Sequence, residues 1–154
     1  MEDFVVARVM HVAAVLMWIG GVAFVTTVVL PSIRANHDPD ERLEAFHRLE
    51  GRFAPQARLW VLAAGVSGFW MAHRAGLWDR FADPLFWWMH AMVGVWILFA
   101  MMLFVIEPLF LHRRMAASPA PSLDFIRLER MHRFLLAASL VTVVGAVAGS
   151  HGLF

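Results

Sequence analysis

The 154-residue sequence has no cysteine, no tyrosine and no lysine. Without cysteine it can form no disulfide, no iron–sulfur cluster and no thiolate zinc site. Charge is scarce as well: 16% of residues are charged, the formal net charge is +1, and all 13 basic side chains are arginine. That balance gives no reason to invoke nucleic acid, because the arginines fall in short stretches between apolar runs. The opening Met1-Glu2-Asp3 is acidic and the apolar run behind it is too long for a signal-peptide core, so no cleavable leader is expected. What the sequence has in abundance is apolar side chains. They make up 60% of it, with a mean hydropathy of +0.65, too apolar for a soluble domain of this length.

Four apolar runs approach the ~20 residues needed to cross a hydrocarbon core ~30 Å thick. They cover residues 4–30, ending at Pro31; 55–73; 84–111, with Glu107-Pro108 near the end; and 134–150. Each is expected to be helical, since an unpaired backbone group in lipid costs several kcal/mol and the segments are too few for a barrel. The expected fold is therefore all-α, a single four-helix transmembrane bundle over residues 1–154. Arginine sets its orientation. Arg34, Arg42, Arg48, Arg52 and Arg58 surround the first loop, and Arg113, Arg114, Arg127, Arg130 and Arg133 the third; Arg8, Arg74 and Arg80 lie on the other side. This asymmetry puts the arginine-rich loops in the cytoplasm and both termini outside it, as in a multi-pass protein of a bacterial inner membrane. In the first loop, residues 38–40 followed by 41–52 read as a capped amphipathic helix with Leu43, Phe46 and Leu49 at helical spacing. After the break at Pro119 and Pro121, residues 123–133 extend the fourth helix into the cytoplasm.

Eight histidines in so apolar a chain are the most informative feature. Alternating helices bring the starts of the first and third runs to the same, non-cytoplasmic side. His11 and His90 lie roughly six or seven residues into those runs, on the order of 10 Å deep at ~1.5 Å per residue. Two imidazoles at matched depth are what a bis-histidine heme needs, one on each axial face. Gly94, one turn below His90, would clear space for the macrocycle edge, and Trp18 lies two turns below His11 on the same face. Arg8 and Arg74 would pair with heme propionates. Gly68, Gly145 and Gly149 fall in the same half, where helix packing or dimerisation is an equal use for them. His73 and His151 end their runs near the surface, and His37 sits in a polar turn. His47, His112 and His132 gather on the cytoplasmic side; a second heme there would use His132 first, although the shallow, arginine-rich setting favours ordinary surface roles. Met-His pairs at Met10-His11, Met89-His90 and Met131-His132 suit copper in principle, but neighbours on a helix diverge by about 100° and do not chelate. Glu107 could pair with Arg58 across the bundle or relay protons.

The segment His11-Val-Ala-Ala-Val-Leu-Met-Trp18-Ile-Gly20-Gly21, ending at Pro31, resembles the opening helix of HemJ-type protoporphyrinogen oxidases and of the copper-resistance protein D (CopD)-like membrane domain. Residues 48–52 through Trp60 and Gly65–Gly68 are similar to the second helix of the HemJ type. The resemblance implies a small helical membrane protein that binds b-type heme through the first-helix histidine, here His11, and oxidises a porphyrinogen. Where those enzymes carry an intramembrane lysine, this chain has His90. A closed, six-coordinate heme would follow, better suited to electron transfer than to binding at iron. The expected function is a b-type membrane cytochrome passing electrons between a quinone or small reductant and a redox partner on the non-cytoplasmic side, with homodimerisation compatible with the small-residue stripes. Alternatives are a HemJ-type oxidase with a porphyrin substrate and, more weakly, CopD-like copper handling.

Overall fold

A computed structural model of the protein describes residues 2–111 and 118–153. Among them every regular element is helical. Helix α1 (Glu2–Phe24) runs through a π-helical turn, Val25–Val29, into α2 (Leu30–Asn36), giving one continuous rod. Helix α3 spans Arg42–Arg74. Two 3-10 segments, Leu77–Ala82 and Pro84–Phe86, lead into α4 (Trp87–Met101), which widens into a π-helical stretch at Met102–Leu111. Helix α5 covers Pro121–Ser150.

Among the described residues three stretches are long and apolar enough to cross a membrane: Glu2–Asn36, Pro84–Pro108 and Pro121–Ser150. Only 11–28% of their apolar windows is buried inside the protein. Large side chains such as Leu16, Val66 and Val144 are left outward-facing, which in water would be an association hazard and in lipid is a fitting surface. The chain is therefore a membrane protein by its apolar helices. The run expected at residues 55–73 is helical too, but it is fused to the amphipathic helix before it. Pro55 does not break α3; it can serve no donor to the carbonyl of Gly51, and Gly51 is exposed. Arg42, Arg48, Arg52 and Arg58 crowd the first half of α3 and lower its hydropathy as a whole. No side chain caps its N-terminus, contrary to the expected cap. Leu43 and Phe46 are buried while Leu49 is exposed.

Two apolar cores hold the helices together. The central one joins Ala14, Trp18, Ile19 and Val22 of α1 to Val61 and Ala64 of α3, Phe99 of α4 and Leu135 of α5. Trp18 and Phe99 meet edge to face at 4.9 Å in its middle. The second core, at the arginine-rich end, is made of Val25, Leu30, Ile33, Phe46, Phe125 and Leu128. In α1 and α2 these residues recur at three- and four-residue intervals, the core-facing stripe of a helix.

The helix contacts are shaped by aromatic rings seated in glycine notches. A Cβ at Gly65 would lie 2.5 Å from the Trp96 ring, and Cβ atoms at Gly145 and Gly149 would collide with Trp87 and Trp88. Trp96 also donates its indole N–H to the Val61 carbonyl at 2.8 Å, within the turn before its notch. Small residues opposite large ones bring backbones close where lipid supplies no hydrophobic drive between helices. Gly149→Leu is therefore expected to push Trp88 off its seat and cost about 1–3 kcal/mol of overpacking. Thermal unfolding in detergent measures it; Gly20→Leu, at an exposed position with open space beside it, serves as the control with little change.

Candidate functional site

His11 lies on the stripe that carries Ala14 and Trp18, because three- and seven-residue steps return to one side of a helix. Its ring turns toward α3. Nδ1 is 2.8 Å from the Ala64 carbonyl oxygen and 3.3 Å from Ser67 Oγ. A carbonyl only accepts, so Nδ1 carries the proton and Nε2 of the neutral ring presents its lone pair. Gly68 makes room for this pose: a Cβ there would stand 3.0 Å from His11 Cε1. Two turns on, the Trp18 side chain is 5% exposed, and its indole N–H is buried without a hydrogen-bond partner among the described residues. An anchored imidazole with a free lone pair, above a buried donor awaiting an acceptor, is an arrangement that a bound group can complete.

His90 is placed differently. It stands in the first turn of α4, exposed, with its ring edge-on to Phe81 at 5.4 Å. The cause is helical phase. Trp88, which is buried, lies eleven residues before Phe99 and so on the same face; His90 lies nine before it, on the opposite face. His11 and His90 thus face different surroundings rather than each other. Gly94 shares the outward stripe of His90 and has open space around it, so the clearance it gives is on the outside of the fold. Arg8 is exposed. Arg74 ion-pairs with Asp3, Nε to Oδ2 at 2.6 Å, tying the start of α1 to the end of α3.

The fit to heme is divided accordingly. His11 has the anchoring expected of an axial ligand, through a protonated Nδ1 held by a backbone carbonyl. His90 in its present pose does not supply the opposite face. A groove of about 300 Å³ between α1 and α3, lined by Gly20, Gly21, Phe53 and Trp60 among others, does not extend to His11. Among the described residues no three histidine or carboxylate side chains converge as a metal site, which weighs against a copper centre built from protein alone. Heme iron, needing one or two axial nitrogens, is not subject to that requirement.

The other histidines separate by depth and company. His37 and His73 are exposed, and so is His151, whose Nδ1 donates to the Val147 carbonyl at 2.8 Å. His112, with Arg113 and Arg114, lies outside the described residues. His47 and His132 are half-buried at the arginine-rich end, more enclosed than a surface role requires.

Ala64, Ser67 and Gly68, the backing of His11, were not singled out by the sequence as a set. A backbone carbonyl leaves no mark in a sequence, though the small residues on one side of α3 are visible there. The pairing of Arg58 with Glu107 is resolved: Arg58 donates to Glu107 Oε1 at 3.1 Å and, through Nε, to the Leu103 carbonyl at 3.0 Å. In a π-helix each N–H reaches five residues back. Pro108 has no N–H, and the carbonyl it would have served is that of Leu103. Arg58 stands in for the missing donor.

Arg58→Leu removes that donor and leaves the Glu107 carboxylate, 8% exposed, without it. The expected cost is about 2–3 kcal/mol, below the ~3–5 of a fully buried pair because the Arg58 side chain is 34% exposed. In a Pro108→Ala background the same substitution should cost less, because the backbone can then serve Leu103. Denaturant unfolding of the four proteins of this cycle reads the coupling directly. Comparison of the chain with protein-family models, with curated proteins and with solved structures returns no match.

Proposed function

We propose that this protein is a b-type heme-binding membrane protein of electron transfer or oxidoreduction, with His11 as the axial ligand that its helices provide. The observation that carries the reading is the Nδ1–H of His11 held by the Ala64 carbonyl at 2.8 Å within a span apolar enough to cross a membrane. An ionisable side chain at such a position is costly and so points to function, and the anchored tautomer is the one that ligates metal. The reading includes four spans, with α3 supplying the second, both termini on the non-cytoplasmic side of a bacterial inner membrane, and a redox partner on that side. When bound, heme would supply one-electron chemistry. The protein's own residues hold the ring of His11 in place through Ala64, Ser67 and Gly68. They also keep water from it with the central core, and offer the Trp18 indole N–H as a donor.

One observation favours the alternative reading, a HemJ-type oxidase acting on a porphyrinogen. A bis-histidine centre with His90 would require α4 to rotate by roughly half a turn. With His90 outward, His11 would be the one histidine of the pair holding a heme, and a centre held on one side suits substrate chemistry better than pure electron transfer.

A reduced-minus-oxidised absorption spectrum of the detergent-purified protein, with heme quantification, tests both. A sharp α band on reduction that disappears in His11→Ala supports heme on His11. If His90→Ala also converts the low-spin spectrum to a high-spin one, the cytochrome reading with two histidines holds; if that variant's spectrum is unchanged, the oxidase reading gains. Protein that is colourless and does not take up hemin would refute both.

A further inference from the structure

The arginine-rich end holds a second pair of imidazoles, unrelated to His11. His47 on α3 has Nδ1 3.1 Å from Glu50 Oε2, one turn ahead. An ionised carboxylate only accepts, so Nδ1 carries the proton and Nε2 offers a lone pair. That Nε2 is buried and has no hydrogen-bond partner among the described residues. His132 on α5 has Nδ1 3.0 Å from the Leu128 carbonyl, which fixes the same tautomer and leaves its Nε2 as a lone pair too. Both rings pack edge-on against one side chain, Phe46, with centroids 6.1 Å and 5.6 Å from it.

Two of the cations at this end are already engaged. Arg34 and Arg133 both bind Glu129, which is 3% exposed and lies three residues before His132. Phe46, which both rings touch, belongs to the apolar core with Phe125 and Leu128. Carboxylate-to-histidine and carbonyl-to-histidine contacts of this kind orient imidazoles for metals and raise their basicity.

We propose that His47 and His132 are the imidazole donors of a transition-metal site at the arginine-rich end, joining α3 to α5, with Glu50 as the carboxylate that positions His47. Neutral imidazole nitrogens select borderline ions such as Cu²⁺, Ni²⁺ and Zn²⁺, or iron held in a planar macrocycle. Among the described residues no group of three histidine or carboxylate side chains forms a metal site, so the protein supplies at most these two donors. The remaining coordination positions therefore belong to water or to a macrocycle. The site is independent of the His11 reading, since it shares no residue with it.

Full-length protein in detergent, freed of metal by a chelator, would be titrated with Cu²⁺ alone and, separately, with hemin alone. Paramagnetic resonance showing two imidazole nitrogens on Cu²⁺ at one equivalent, lost in His47→Gln and in His132→Gln but kept in His11→Gln, assigns a free-ion site. A low-spin hemin spectrum with the same dependence assigns a macrocycle instead. Glu50→Gln leaves both rings in place and is expected to weaken either ligand about 10–100-fold, which keeps the test decisive if a histidine variant does not fold. Equal binding of both probes by the wild type and by the His47→Gln/His132→Gln protein overturns the proposal, as does unchanged affinity in Glu50→Gln.

Discussion

Polar groups within the apolar helices of this protein have to be satisfied by the chain itself, and much of its detailed structure follows from how they are. Thr26 and Thr27, in the π-helical turn of the first rod, donate their hydroxyls one turn back to the carbonyls of Val22 and Ala23, both at 2.7 Å. Trp96 gives its N–H to Val61, His11 gives its to Ala64, and Arg58 covers the carbonyl that Pro108 strands. Three of these bonds end on α3 or start from it, so that helix, the least apolar of the long ones, is where the others find their partners. A donor left over in such surroundings costs about as much as a lost hydrogen bond. That cost is what makes the unpartnered Trp18 indole stand out among so many satisfied groups.

Much of the architecture was legible in the sequence, because length and hydropathy report on spans; proline was the poorer guide, since the first rod continues past Pro31 to Asn36 and α3 continues through Pro55. The first, third and fourth apolar runs correspond to α1 with α2, to α4 with its π-helical extension, and to the C-terminal part of α5. An extension of the fourth run back to residue 123 was also readable, and the helix begins two residues earlier, at Pro121. The fusion of the amphipathic segment with the run after Pro55 was not. Proline biases a helix toward ending, but an exposed preceding turn lets it continue. For the site, spacing along one helix was legible, and the direction each helix turns toward its neighbours was less so. His11 and Trp18 share a face because seven residues make nearly two turns. His90 and Phe99 are nine apart and therefore opposed, a relation that the sequence contains but that matched depth alone does not reveal. His47 and His132 look like surface histidines when judged by their arginine neighbours; Glu129, with two helices between it and Arg34 in sequence, ties up two of them, Arg34 and Arg133.

The notches in α3 and α5 show a division of labour between small and large residues. Glycine supplies the approach and the aromatic ring supplies the area, with Trp87 and Trp88 reaching α5 and Trp96 reaching α3. Helix α4 is thereby locked on two sides by tryptophans about two turns apart on the same helix. Its remaining side, carrying His90 and Gly94, is the one directed away from the protein. The rotational setting of α4 is thus fixed by its tryptophans, and the exposure of His90 is the geometric remainder of that choice.

Helix α3 carries the partner of one imidazole near its middle and the partner of another near its start. Ala64 and Glu50 are fourteen residues apart, roughly 21 Å along an axis rising about 1.5 Å per residue. Because the helix continues unbroken through Pro55, it acts as a common spindle for both rings. A tilt or axial rotation applied at one end is inherited at the other, so the settings of His11 and His47 are mechanically geared although no side chain connects them.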